Sequence, residues 1–369
     1  MIFILILSRK EYLVIQTIGF RPFIKNLKFK VVNFYHYQQE FTLENGKTLP
    51  ELTIAYHTYG SLSPQKDNVI WVCHALTANS DVADWWPHTV ESGKFLDPER
   101  YFIICANILG SHYGTTGPLT VDPRTNRPWY GTFPEITVRD MVACHHLLAE
   151  HLGIHRVKML IGSSIGGFQC LEWSVMYPDF AENLVLIATS ARSKAWAIAF
   201  NESQRMALES DPTFGEARDD AGGAGLATAR SIALLSYRGQ TAYDQTQDDP
   251  EAGTKISGYK ACSYQRYQGE KLRKRFNAYS YYRFTQAIDS HNIGRGRDSV
   301  EKVLGGIRSR CCVVAISSDI LFPPSEHDIL RKNIPGAEYH LIDSDFGHDG
   351  FLIEHKKLNQ IILNFLNHE

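Results

Sequence analysis

The chain has 369 residues, 44% of them hydrophobic, with 38 basic and 40 acidic side chains mixed along its length for a formal charge of −2. That composition excludes a disordered chain and offers no cationic surface for a polyphosphate backbone, so nucleic acid is not an expected partner. Seven cysteines, an odd number with no CxxC spacing and mostly within apolar runs, exclude a disulfide or zinc framework and point to buried thiols in a reducing, cytoplasmic compartment.

The opening run Met1 to Leu7 is apolar but too short to span a bilayer. No positive charge precedes it and no small-residue cleavage site follows, so residues 1–34 are expected to be a poorly ordered extension, not a signal or membrane anchor. "FTLENGKTLPELTIAYHTYG" alternates apolar and polar positions around Gly46, which predicts an antiparallel hairpin over 41–60. "NVIWVCHAL" and "YFIICANILG" are continuous apolar runs of strand length, the pattern of strands covered on both faces. A helix is predicted over 140–154, followed by strands at 157–162, 183–188, 311–317 and 339–342.

Strands alternating with helices predict an α/β fold with a mostly parallel central sheet flanked by helices, over 35–190 and 311–369. Between these segments the strand signal disappears. Residues 191–310 hold helical stretches such as "GLATARSIALLSY", a polar loop "GQTAYDQTQDDPEAGTK" and the aromatic run "YSYYRFTQAIDSHN", and are expected to form a helical lid over the sheet.

Where the strand "VKMLIG" meets a helix, the chain reads Gly162-Ser163-Ser164-Ile165-Gly166. A serine at the centre of such a turn can be held above the sheet edge, with small flanking residues letting strand and helix close up on it. Ser164 is therefore the candidate nucleophile, while Ser163 is expected to face the packed interior. A serine hydroxyl needs a base, and the base an orienting acid, which in this arrangement follow in the order Ser, acid, His. Asp319 and His348 each lie just beyond an apolar strand; Asp343, Asp345 and Asp328 compete for the acid's role. For the oxyanion, the backbone N–H groups of Ile165, after the nucleophile, and Leu76, in the loop after an early strand, are the candidate donors.

The segments "HALTANSDVADWW", "YFIICANILGSHYGTTGPLTVDP", "GSSIGGFQCLEWSVMYPD", "IATSARSKAWAIAFNESQRMAL", "GLATARSIALLSYR" and "GHDGFLIEH" together resemble the homoserine O-acetyltransferases built on the α/β-hydrolase fold, from about Tyr35 to the C-terminus. The resemblance implies Ser164 as nucleophile, Asp319 as acid and His348 as base. It also implies Arg230 as partner of the substrate carboxylate and Asp349 as holder of the substrate ammonium, a guanidinium and a carboxylate suited to a zwitterionic amino acid. Acetyl-CoA as co-substrate, L-homoserine as acceptor, no bound cofactor, no membrane partner and a homodimer joined through the lid belong to the same implication. A succinyl-CoA donor or a serine acceptor would use the same catalytic residues, and an esterase of this fold is the further alternative. The chain departs from the family pattern at Ser163, more often glycine, at Ile165, more often methionine or leucine, and at His112, where cysteine is common.

Overall fold

A computed structural model describes residues 31–250 and 253–368. The expectation for the N-terminal extension lies outside the described residues, except that the first strand already begins at Asn33.

Among the described residues twelve strands and twelve α-helices follow in order. The strands are β1 (Asn33–Tyr37), β2 (Phe41–Thr42), β3 (Thr48–Leu49), β4 (Leu52–Tyr59), β5 (Val69–Cys73), β6 (Phe102–Ala106), β7 (Val121–Asp122), β8 (Arg127–Pro128), β9 (Val157–Ser163), β10 (Ala181–Ile187), β11 (Arg310–Ile316) and β12 (Glu338–Ile342). Eight of them form the central sheet in the order β1-β4-β6-β5-β9-β10-β11-β12. β4 pairs antiparallel with both β1 and β6, whereas every pairing from β6 to β12 is parallel. The expected hairpin over 41–60 is thus only partly formed. β2 and β3 pair across the Gly46 turn, but the longer β4 leaves them and joins β1, because Leu52 and Ile54 on one face and Ala55 on the other can all be buried only within the large sheet.

The helices are α1 (Val82–Trp85), α2 (Val138–His151), α3 (Ile165–Met176), α4 (Ala195–Glu209), α5 (Gly223–Tyr237), α6 (Gln240–Gln247), α7 (Lys260–Arg273), α8 (Ala278–Asp289), α9 (Val300–Leu304), α10 (Pro324–Asn333), α11 (Gly350–Ile353) and α12 (His355–Asn367). α2 starts two residues before the expected Asp140, since Thr137 and Asp140 form a reciprocal cap in which each side chain receives the other's backbone N–H. α4 to α9 separate β10 from β11, and α6 occupies part of the stretch read from sequence as a polar loop.

The strand alternation divides the core in two. Val69, Trp71, Leu160, Leu184 and Leu186 pack with Met141, Phe168 and Trp173 of α2 and α3. Ile70, Val72, Ile161, Val185 and Val314 pack on the opposite face with Leu358, Ile362 and Phe365 of α12. Because β5, β9, β11 and β12 run parallel, they finish at one edge of the sheet, with Cys73 beside Gly162 and Ile316 beside Ile342. The segments carrying Leu76, Ser164, Asp319 and His348 all leave from that edge.

Of the imidazoles buried near this edge, three are shifted far down by burial. Burial drives the pKa of His74 down to about 4 and those of His145 and His291 down to about 3, so each is neutral near pH 7. In the unfolded chain they titrate near 6.5, so below that pH the unfolded state binds more protons and stability falls as pH drops toward about 4. Thermal unfolding at pH 7.5 and pH 5 is expected to show this loss. The pH slope should shrink by about 1.4 kcal/mol per pH unit in His145→Gln, which removes one such group.

Candidate active site

The turn from β9 into α3 places Ser164 with φ 56° and ψ −126°, a backbone region that costs a residue with a β-carbon about 1–3 kcal/mol. Specific contacts hold it there. The Ser164 N–H donates to the Ile187 carbonyl at 3.0 Å, and the Ser164 carbonyl accepts from Gly167 N–H and Thr189 Oγ1, each at 2.9 Å. The glycines are steric necessities: a β-carbon on Gly166 would lie 2.1 Å from the Cys73 carbonyl oxygen, and one on Gly162 would collide with the Gly166 backbone and, at 2.8 Å, with Cys170 Sγ. Ser163, the last residue of β9, is fully buried, and its Oγ has no hydrogen-bond partner among the described residues. The two adjacent serines therefore occupy opposite environments, and Ser164 is the one that lines a cavity.

Asp319 and His348 meet across the loops that follow β11 and β12. His348 Nδ1 donates to Asp319 Oδ2 at 2.7 Å, while Asp319 Oδ1 accepts the N–H groups of Leu321 and Phe322 at 2.8 and 2.9 Å. The loops are cross-tied, with Gly347 N–H donating to Ser318 Oγ at 2.9 Å and Ser344 N–H to Ser317 Oγ at 3.0 Å. Burial disfavours the His348 imidazolium, but the charge and hydrogen bond of Asp319, with a further contribution from Asp349, raise its pKa above the ordinary imidazole value. Asp319 and none of its three competitors is the carboxylate hydrogen-bonded to His348; of the others, Asp343 accepts from Ser317 Oγ and Asp328 pairs with Arg331 on α10.

Leu76 follows β5 in a loop fixed from below. Ile108 N–H donates to His74 Nε2 at 3.2 Å, so that His74 Nδ1 carries the proton and donates to the Ala75 carbonyl at 2.8 Å. From above, Arg275 Nη1 donates to the Thr77 carbonyl at 2.6 Å and to the Tyr113 hydroxyl at 2.7 Å. Ile165 is the first residue of α3, where a backbone N–H has no acceptor within the helix.

These residues surround a cleft of about 480 Å³ lined by Ser164, His348, Leu76, Arg230, Asp349 and, on the lid side, Tyr237. An apolar recess of about 20 Å³ opens beside it, lined by Ser164, Leu76, Ile165, Phe168, Leu321 and Phe322 among others. The structure thus brings Ser164, His348, Leu76, Arg230 and Asp349 to one cleft, with Asp319 buried directly behind the imidazole. Asp349 is not solitary there: Arg238 Nε lies 3.0 Å from its Oδ2.

Sequence reasoning missed four residues of this cleft or its immediate support. The Arg230 guanidinium lies 5.4 Å from the centroid of the Tyr237 ring, and Tyr237 stands 5.8 Å from the His348 ring. The spacing of seven in "RSIALLSY" could have shown it, since residues two turns apart share a helix face. Arg238, Lys271 and Arg275 carry no such signal, because only the folded lid brings them to the loops after β5 and β12.

The model of the family described as alpha/beta hydrolase fold matches residues 68–354. The chain is 43% identical over 331 residues to the homoserine O-acetyltransferase of Cyclobacterium marinum, covering 90% of this chain and 94% of that one. The crystal structure of homoserine O-acetyltransferase from Bacillus anthracis superposes with a TM-score of 0.82 at 25% identity, covering 92% of this chain and 99% of that one. The structure of esterase E22 also superposes at 0.82, with 23% identity and coverage of 91% and 100%, a likeness of fold alone. With the site's geometry and this relationship along nearly its whole described length, the chain belongs to the homoserine O-acetyltransferase family of the α/β-hydrolase fold.

Proposed function

We propose that the chain transfers the acetyl group of acetyl-CoA to the side-chain hydroxyl of L-homoserine through an acetyl-Ser164 intermediate, a step of methionine biosynthesis. The observation that carries this reading is the placing of Arg230 and Asp349 with Ser164 in one cleft, a cation and an anion for the two ends of an amino acid beside the nucleophile. The His348 Nδ1 proton is committed to Asp319, which leaves Nε2 as the base. Nε2 takes the Ser164 proton as Oγ attacks the thioester carbonyl; the C–S bond then breaks, and the coenzyme A sulfur receives that proton. In the second half, Nε2 takes the homoserine hydroxyl proton as its oxygen attacks the acetyl carbon, and returns it to Ser164 Oγ as the ester bond to the enzyme breaks. The N–H groups of Leu76 and Ile165 stabilise the oxyanion in both halves. The activated acyl group arrives with its own leaving group, so the chemistry requires no bound cofactor.

The recess beside Ser164 supports acetyl over succinyl: it is small and no Lys or Arg lines it, so a succinyl carboxylate would be desolvated there without a partner. Homodimerisation through the lid is part of the same proposal, supported by Trp196, Met206, Leu235 and Tyr267 on α4, α5 and α7, which are 56–61% exposed. Cys73, Cys105, Cys144, Cys170, Cys311 and Cys312 are buried free thiols and Cys262 an exposed one, consistent with work in a reducing cytoplasm. Among the described residues no helix is long and apolar enough to cross a membrane.

Offered acetyl-CoA, the protein is expected to release thiol much faster with L-homoserine than without it, with O-acetylhomoserine detected by mass spectrometry. Equal release in both cases would instead favour hydrolysis. Ser164→Ala should abolish acetyl-enzyme formation, whereas Ser163→Ala keeps it and, by removing a buried hydroxyl without a partner, raises stability by up to about 1 kcal/mol in a denaturant titration.

The base works only when neutral, so kcat/KM should fall as pH drops through the raised pKa of His348, placing its acid limb above the ordinary value of about 6.5. Asp319→Asn removes the main influence raising that pKa. It should move the limb to lower pH and reduce kcat by roughly 10⁴-fold, read from a pH–rate profile of both proteins.

A further inference from the structure

The cleft holds more positive charge than an amino-acid acceptor uses. Four cationic or anionic side chains in or beside it are already committed. Arg238 pairs with Asp349, Arg275 donates to Thr77 and Tyr113, and Asp84 accepts from the Asn79 amide at 3.1 Å. Two cations that line the cleft, Arg230 and Lys271, form no ion pair with a described carboxylate. They sit at different depths. Arg230 is half-buried against the Tyr237 ring, which itself lies beside His348, whereas Lys271 is exposed in the last turn of α7.

We propose that Lys271 is the anchor for the phosphates of the coenzyme A donor, an assignment that rests on the acetyl-CoA reading above and gives that substrate its own charged subsite. The two substrates differ in where their anions lie. Homoserine carries its carboxylate a few bonds from the reacting hydroxyl, which matches the deep Arg230. The donor carries its diphosphate and ribose phosphate at the far end of the pantetheine arm, so when its thioester reaches Ser164 those anions lie toward the mouth of the cleft. An exposed lysine at a cleft's rim is suited to that end: a compact, mobile ammonium binds phosphate as a point charge.

The local sequence adds to the field. "KLRKR" brings Lys271, Arg273, Lys274 and Arg275 into five residues at the C-terminal end of α7, and among the described residues only Arg273 of these is ion-paired with a carboxylate, Glu270 at 3.2 Å. Lys274 is exposed, and it too lacks an ion-paired carboxylate among the described residues. Cations at this position also answer the negative end of the helix, a stabilising role that lysine would fill whether or not a donor binds. Lys271 is separated from that role by lining the cleft that holds Ser164.

The test compares acetyl-CoA with S-acetyl-N-acetylcysteamine, a thioester with no phosphate, by thiol release in the wild type, Lys271→Ala and Lys271→Arg. The readout is the ratio of the two kcat/KM values. It is expected to fall roughly tenfold in Lys271→Ala, through KM for acetyl-CoA, and to recover in Lys271→Arg. In the wild type the preference for acetyl-CoA should weaken with added salt more than it does in Lys271→Ala. A wild-type preference that survives intact in Lys271→Ala overturns the assignment, as does a loss shared equally by both thioesters. A wild type that shows no preference for acetyl-CoA overturns the donor reading itself. Brisk thiol release from acetyl-CoA that is indifferent to homoserine overturns only the acceptor reading, and the ratio still judges Lys271.

Discussion

A single residue held in the left-handed half of backbone space sets the geometry of everything around it. Ser164 carries a β-carbon where glycine would rest without strain, and the turn keeps it there only because its amide is bound to Ile187 and its carbonyl to Thr189 and Gly167. That turn then dictates the neighbours. α3 must leave β9 so closely that Gly166 touches the Cys73 carbonyl, which ties the nucleophile's position to the end of β5. The loop bearing Leu76 starts at that same strand end. One strained turn thus fixes Ser164 and the proposed oxyanion donors relative to each other before any side chain is placed, an alignment that would need little reorganisation during reaction.

The helical insertion is bound to the catalytic loops as well as covering them. Arg275, just after α7, grips the backbone of Thr77 next to Leu76. At the end of α5, Arg238 reaches Asp349. Gly239 approaches the loop of His348 so closely that a β-carbon on it would lie 2.8 Å from Gly347 N, and Gly347 itself has φ 65°. These contacts make the position of the lid and the position of the base mutually dependent. A lid that only excluded water could be replaced by any apolar cap; one that also holds the oxyanion loop and the acid beside the histidine cannot shift without altering the chemistry.

The sheet was legible in the sequence because its strands are covered on both faces. A run such as "VIWVC" has few other uses, and the strand ends fell within a few residues of those expected. β1 and the pairing of β4 were not legible, since "NFYHY" is half-exposed and amphipathic and its partner is decided by the whole sheet. Ser164, Asp319 and His348 could be named because each follows a readable strand, so position along the chain stands in for position in space. Arg238, Lys271 and Arg275 could not be named on that basis. They lie on or just past the ends of lid helices whose direction depends on packing against one another, with α5 wedged against α4 and α7, and a basic stretch such as "KLRKR" reads the same whichever way its charges face.

The close structural likeness to an esterase poses the question of what directs an acyl-enzyme toward an amino acid and away from water. The triad cannot decide it, because the same base activates either oxygen. The difference must lie in how long and how well oriented a hydroxyl waits beside the acetyl carbon. A molecule held at both charged ends presents its hydroxyl at an effective concentration that about 55 M water, unheld and unoriented, does not match, since intramolecular reactions reach about 10⁵–10⁸ M. Two charges on opposite elements, Arg230 on α5 and Asp349 next to His348, are the pair to which the proposed function assigns such an orientation. Arg238 bears directly on that advantage. By pairing with Asp349 from the lid it braces the carboxylate proposed to hold the ammonium, but it also offsets part of its charge. On the function proposed above, the favoured acceptor is a zwitterion whose carboxylate meets Arg230 while its ammonium joins the Arg238–Asp349 ion pair. A molecule with an ammonium alone would lack one of those two proposed anchors.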